Sequence, residues 1–250
     1  MPASAFADTV ALYAAGSLKG ALSDVAKAYA AKSGNKVATR FGPSGLLEKE
    51  IADGAQADVF ASANMEHPQA LFDDGTGGPV ARFARNKLCA LVKPGLAVTS
   101  DTLLARMLDP KVKLAASTPR ADPSGDYALQ VFVKAEALKK GAQEALESKA
   151  LKLTGGKDSA VPPAGRIAYG WHVAEGRADI FLTYCTNALA ALKQYPGQQM
   201  VDLPAALSVG ADYGLTVISG APAAAQEFAE FILSAEGQKI LTSYGFSPGE

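Results

Sequence analysis

Apolar and polar positions alternate along the first part of the chain in a pattern of strand, helix, strand, helix, strand. Residues 9–14 form a short apolar run that predicts a strand. Over residues 18–32, Leu18, Leu22, Val25 and Tyr29 recur at spacings of 4, 3 and 4, one face of a helix, and Gly34 follows as a stop. Residues 36–41 carry β-branched side chains and read as a strand. Residues 46–52 turn Leu46, Leu47 and Ile51 one way and Glu48, Lys49 and Glu50 the other, a second helix closed by Gly54. A strand over 58–61 and a short helix over 65–73 complete the series. Strands separated by helices imply right-handed βαβ units and a largely parallel sheet with helices on its faces.

The later chain repeats this grammar. Strands are expected at 88–92, 112–116, 179–183 and 213–218, and helices at 127–138, 166–175, 223–233 and 236–244. The pattern breaks into Gly, Pro and Gln between Gly75 and Asn86, and again between Tyr195 and Leu207. Two breaks suggest two α/β lobes joined by two crossings: residues 1–86 with 202–250, and residues 87–201. A cleft between two such lobes is a common place for a small ligand.

Composition narrows the function. The 250 residues hold 24 Lys+Arg against 25 Asp+Glu, a net charge of −1, which excludes a protein whose whole surface is a nucleic-acid or polybasic membrane binder. No run of 18 apolar residues appears, so no membrane-spanning helix is expected. Two His (His67, His172) and two Cys (Cys89, Cys185) leave no local CxxC or HExxH cluster, so neither a bound cation nor a cofactor is expected. The two cysteines are expected as separate buried thiols, with a Cys89–Cys185 disulfide as the alternative in an exported protein. Ala5-Phe6-Ala7 has the small-x-small form that precedes an export-signal cut, with Met1 as an added start.

Three serines draw attention because each follows a strand through a tight loop and opens a helix. They are Ser17 in Ala14-Ala15-Gly16-Ser17-Leu18, Ser44 in Gly42-Pro43-Ser44-Gly45-Leu46, and Ser124 in Asp122-Pro123-Ser124-Gly125-Asp126. Each is expected at an N-cap, where unpaired N–H groups and the positive end of the helix dipole gather. A neighbouring glycine lets a ligand approach the backbone. Such loops converging at strand ends would make an anion site from neutral donors. Arg166, at the start of a helix, could aim its guanidinium at the anion, and Tyr184, at the end of a strand, could turn its hydroxyl toward the same cleft.

At these motifs the chain resembles the periplasmic molybdate-binding proteins, the substrate-binding components of molybdate ABC transporters. The likeness runs through Ala14-Ala15-Gly16-Ser17-Leu18, Gly54-Ala55-Gln56-Ala57-Asp58-Val59-Phe60-Ala61-Ser62-Ala63, Asn86-Lys87-Leu88, Pro123-Ser124-Gly125-Asp126-Tyr127-Ala128 and Tyr244-Gly245-Phe246. It implies a two-lobe class II periplasmic binding protein, each lobe a mostly parallel sheet flanked by helices, with the ligand cleft between lobes. It also implies a monomer that binds molybdate, and tungstate with it, and delivers the anion to a membrane permease. Carried over, Ser17 and Ser44 match the first-lobe serines, Ser124 a residue giving a backbone N–H, and Tyr184 the second-lobe tyrosine.

Arg166 stands where that family has an apolar residue giving only its N–H, Asp126 adds a carboxylate beside the Ser124 turn, and Tyr184-Cys185-Thr186-Asn187 replaces the usual run. The alternative is therefore the same fold holding another oxyanion or a small organic acid with the help of Arg166. A serine hydrolase is disfavoured, because Ser44 in Gly42-Pro43-Ser44-Gly45 does not fit a GxSxG elbow and only two histidines could serve as base.

Overall fold

The computed structural model describes residues 8–249; the expected export-signal remnant at Ala5-Phe6-Ala7 lies outside them. In chain order the strands and α-helices are β1 (Thr9–Ala15), α1 (Lys19–Ser33), β2 (Lys36–Gly42), α2 (Ser44–Ala52), β3 (Val59–Ser62), α3 (Glu66–Asp73), β4 (Ala81–Val92) and α4 (Leu103–Leu108). Then come β5 (Leu114–Ser117), α5 (Pro123–Leu138), α6 (Ala142–Lys149), β6 (Leu151–Thr154), α7 (Ala168–Ala174), β7 (Ile180–Tyr184) and α8 (Cys185–Gln194). The series ends with β8 (Gln199–Asp202), β9 (Gly210–Val217), α9 (Ala223–Leu233), α10 (Ala235–Ser243) and β10 (Ser247–Pro248).

The chain folds into two compact units. One holds the described residues up to Arg85 together with those from Asp212 onward; the other is Asn86–Ala211. The divisions at 85/86 and 211/212 fall inside β4 and β9, whereas the sequence pattern places them at 86/87 and 201/202.

In the first unit β1 lies parallel to β2 on one side and β3 on the other, and β9 runs antiparallel to β3. The helix face read from the sequence is the one that packs: Leu18, Leu22 and Val25 are fully buried and Tyr29 nearly so. Phe228 packs on the Tyr29 ring, while Phe60 and Leu71 form a separate core with Leu47, Ile51 and Ala57 of α2 and the loop after it. Gly20 has a packing role: a Cβ there would fall 2.7 Å from the Tyr244 ring, which lies on α1 and donates its hydroxyl to Asp24 at 2.5 Å.

In the second unit β5 is parallel to β6 and β7, while β4 pairs antiparallel with β7 and β8. Parallel pairing therefore occurs where helices intervene, and antiparallel pairing enters through the two strands that run from one unit into the other. The break expected from Gly75 to Asn86 is in part strand, since β4 starts at Ala81. Arg82, Arg85 and Lys87 interrupt its hydrophobic alternation, and they are paired with Asp212 and Asp202 at the surface.

The expectation of two separate thiols is corrected: Cys89 and Cys185 form a disulfide with Cα atoms 4.9 Å apart. The register explains it. Leu88 pairs with Tyr184 and Cys89 with Thr183, so Cys185, the first residue of α8, emerges beside Cys89. Among the described residues no helix is long and apolar enough to cross a membrane.

Candidate functional site

Strand register places the first-unit serines at one end of the sheet. In the parallel β1–β2 pair Ala15 lies opposite Gly42, and Ser17 and Ser44 each stand two residues beyond those partners. In the parallel β1–β3 pair Ala14 lies opposite Ala61, so Ala63 also stands two residues past the register. Three chain segments thus leave the sheet together at its C-terminal end, where α/β sheets gather ligands.

Neither serine caps a helix, contrary to expectation. Ser17 lies within a 3₁₀ turn, Gly16–Leu18, ahead of α1, and Ser44 is the first residue of α2 with Pro43 before it; neither Leu18 nor Pro43 makes a side-chain cap. Their hydroxyls are used otherwise. The Ser44 Oγ is buried and accepts the Ala63 N–H at 3.1 Å. The Ser17 Oγ lies 3.0 Å from the Tyr213 hydroxyl, and Tyr213 is fully buried between Phe83 and Phe246. When one lone pair of a serine is filled by a protein donor, its own proton is directed to another acceptor.

The second unit repeats the scheme with different parts. β5 and β7 are parallel, with Leu114 opposite Ile180, and their ends carry Ser117 and Tyr184. Asp122, not Ser124, caps α5: its Oδ1 accepts the Ser124 N–H at 3.0 Å. The N–H expected as the Ser124 contribution is thereby engaged. The Ser124 Oγ, by contrast, is fully buried and has no hydrogen-bond partner among the described residues. The Tyr127 ring, in the first turn of α5, meets the buried Tyr184 ring edge-on at 6.2 Å, tying the end of β7 to the helix that carries Ser124.

Electrostatics around this turn are set by carboxylates. Burial pushes the Asp122 carboxyl up to about 6; the Ser124 N–H and the Ser117 hydroxyl oppose that rise, and the charge of Asp126 adds to it. Gly155, at φ +78°, is held against Asp122, where a Cβ would sit 2.4 Å from the Asp122 Cβ. Tyr169 reaches the same cluster, with its hydroxyl beside Ser117, Thr183 and Thr154, and burial pushes its phenol upward. The Asp126 carboxylate accepts the Arg120 N–H with both oxygens, at 2.9 and 3.1 Å.

Arg166 is placed elsewhere. It is exposed, with its guanidinium 5.8 Å from the ring of Tyr195. The neighbouring backbone is pinned by Gln194, which accepts from Ile167 N–H and donates to the Gly165 carbonyl. Tyr195 follows the last residue of α8, while Tyr184 precedes the first. Ten residues of helix span about 15 Å, so Arg166 sits by the far end of α8 from Tyr184.

Neither histidine is exposed. His67 is 18% exposed, with Glu48 at 3.8 Å. His172 is buried between Trp171 and Phe181, and burial followed by the Arg177 charge holds its imidazole below the usual value.

The sequence reading missed Tyr213, Asp122 and Tyr169. Asp122-Pro123 at a helix start is a readable capping signal. Nothing local marks the two tyrosines, which reach the site through pairing of distant segments.

Two α/β units presenting hydroxyl donors at the ends of parallel strands define a small-solute binding protein. The chain matches the bacterial extracellular solute-binding proteins over residues 10–247 and belongs to that family. It is 35% identical over 215 residues to an uncharacterised protein of Pasteurella multocida, covering 85% of this chain and 88% of the relative. It is 26% identical over 247 residues to the molybdate-binding protein ModA of Haemophilus influenzae, covering 95% and 89% respectively. The periplasmic molybdate-binding protein of Azotobacter vinelandii has a similar fold, with TM-score 0.76 at 22% identity, covering 96% of this chain and 100% of that one.

Proposed function

We propose that this protein is the periplasmic receptor of an ABC importer and that it binds a tetrahedral oxyanion, molybdate and with it tungstate, through Ser17, Ser44, Ser124 and Tyr184. The observation that carries the reading is the state of the serine hydroxyls. Ser44 accepts from Ala63, Ser17 pairs with Tyr213, and Ser124 is buried without a partner among the described residues. A serine hydroxyl that accepts from the protein, as at Ser44, or has no partner there, as at Ser124, has a proton to give, and a fully deprotonated oxyanion offers only acceptors. Hydrogen bonds from neutral donors to an anion are charge-assisted, and they replace the hydration shell with no cation in the site. Relatives named as molybdate-binding proteins support the choice of anion. The disulfide fits an oxidising compartment such as the periplasm.

Asp122 tunes the affinity. Its carboxylate stands at the start of α5 and holds the Ser124 N–H, so the helix end is already in contact with negative charge. Ionised Asp122 repels a dianion; protonated Asp122 does not. Affinity is therefore expected to fall as pH rises through about 6. Recognition of an organic acid by Arg166 has no supporting contact, since that guanidinium packs over Tyr195. Of the two histidines weighed as a hydrolytic base, His172 is enclosed by aromatic rings.

The test is calorimetric titration of ligand-stripped protein with molybdate, tungstate, sulfate and phosphate. Saturable binding of molybdate and tungstate at one site is expected, with a matching rise in melting temperature. No heat and no thermal shift with any of the four would overturn the reading.

A further inference from the structure

Tyr213 belongs to no helix start or loop, yet its hydroxyl lies 3.0 Å from the Ser17 Oγ. We infer that Tyr213 is a positioning residue that donates to Ser17 and so turns the Ser17 hydroxyl into a donor directed at the bound anion, biasing the site toward fully deprotonated oxyanions. The inference rests on the reading that Ser17 contacts the ligand.

The relative acidity of the two hydroxyls sets the direction of the bond. A phenol is a stronger hydrogen-bond acid than an aliphatic alcohol, so in a Tyr–Ser pair the phenol gives its proton and the serine oxygen receives it. Packing holds the Tyr213 ring, and with it the hydroxyl oxygen, beside Ser17. It is fully buried, with Phe83 edge-on at 6.3 Å and Phe246 edge-on at 5.4 Å. The next residue, Gly214, is seated where a Cβ would lie 2.7 Å from Pro68 and 3.0 Å from the Asn64 carbonyl, which also accepts the Gly214 N–H. The backbone that carries Tyr213 is thus fixed against the loop after β3, the loop whose Ala63 N–H binds Ser44. Both first-unit serines therefore receive a hydrogen bond from inside the protein, one from a main-chain amide and one from this phenol. A Ser17 oxygen that is already accepting is a poorer acceptor for a ligand hydroxyl. An anion still carrying a proton, such as hydrogen phosphate, gains less there than one carrying none.

The experiment is a double-mutant cycle of Tyr213→Phe and Ser17→Ala, read by calorimetric titration with molybdate and with phosphate at pH 8. Tyr213→Phe should weaken molybdate binding about 3- to 10-fold, leave the phosphate affinity unchanged or improved, and add nothing in the Ser17→Ala background. Equal molybdate affinity in wild type and Tyr213→Phe would overturn the inference and leave the oxyanion reading standing. Equal losses with and without the Ser17 hydroxyl would also overturn it, by showing a packing effect. Absence of binding in the wild type would remove both. If Tyr213→Phe fails to fold, 3-fluorotyrosine at the same position keeps the ring packing and strengthens the donor; tighter molybdate binding supports the inference and unchanged binding overturns it.

Discussion

Replacing Ser124 by alanine should make the ligand-free protein more stable and the receptor worse. The Ser124 Oγ is fully buried and has no hydrogen-bond partner among the described residues. Enclosing an unpaired hydroxyl costs about 1–3 kcal/mol in folded proteins. Removing it returns part of that cost. The backbone N–H is untouched, so the Asp122 cap at 3.0 Å persists. A gain of about 1–2 kcal/mol follows, or roughly 2–8 °C in melting temperature for a chain of this size. Binding should move the other way. A hydrogen bond from a neutral hydroxyl to a dianion contributes about 1.5–3 kcal/mol, so molybdate affinity should drop by about 10- to 150-fold. The assay is scanning fluorimetry on protein stripped of ligand by unfolding and refolding, followed by calorimetric titration. A lower melting temperature without ligand would show that the hydroxyl supports the fold, and unchanged affinity would show that it does not meet the anion. Either result refutes the reasoning.

Further predictions rest on other contacts. Replacing both Cys89 and Cys185 by alanine opens a loop of sequence separation 96; chain entropy sets an upper value of about 4.7 kcal/mol, and a loss of about 2–4 kcal/mol in urea unfolding is expected. Asp122 has a folded pKa of about 6, above its unfolded value near 4, so its ionisation favours the unfolded chain. Wild-type stability should be greatest below pH 4 as far as this group is concerned and decline as pH rises from about 4 to about 6. Asp122→Asn should remove that decline, a difference of up to about 3 kcal/mol at pH 7, read by urea melts across pH. Arg166→Ala should leave oxyanion affinity unchanged and cost at most about 1 kcal/mol in stability through the lost contact over Tyr195; a tenfold loss of affinity would place the guanidinium in the site after all.

Much of the local structure was legible because it is written in periodicity. The face of α1 is set by Leu18, Leu22, Val25 and Tyr29, and the same residues are buried in the fold. The helix over 223–233 is found as α9 with those bounds. The short elements α4, α6, β6 and β8 went unread, because four to eight residues of mixed polarity carry too little periodic signal to distinguish them from loop. β4 was read only from Leu88 onward, since its first half presents arginines to solvent.

By itself the sequence determined that this is a two-part α/β chain, and its motifs pointed to serines at the ends of strands. Tertiary structure decided what those serines do. Only the register of β1 with β2 puts Ser17 and Ser44 at one sheet end. The pairing across 196 residues brings Tyr213 to Ser17. At Ser124 the cap formed by Asp122 engages the N–H and leaves the hydroxyl unpaired. The register of β4 with β7 likewise turned two remote cysteines into a bond. Periodicity is a property of neighbours along the chain, whereas the direction of a hydroxyl proton depends on which distant group fills its lone pair, and that is settled only when strands pair.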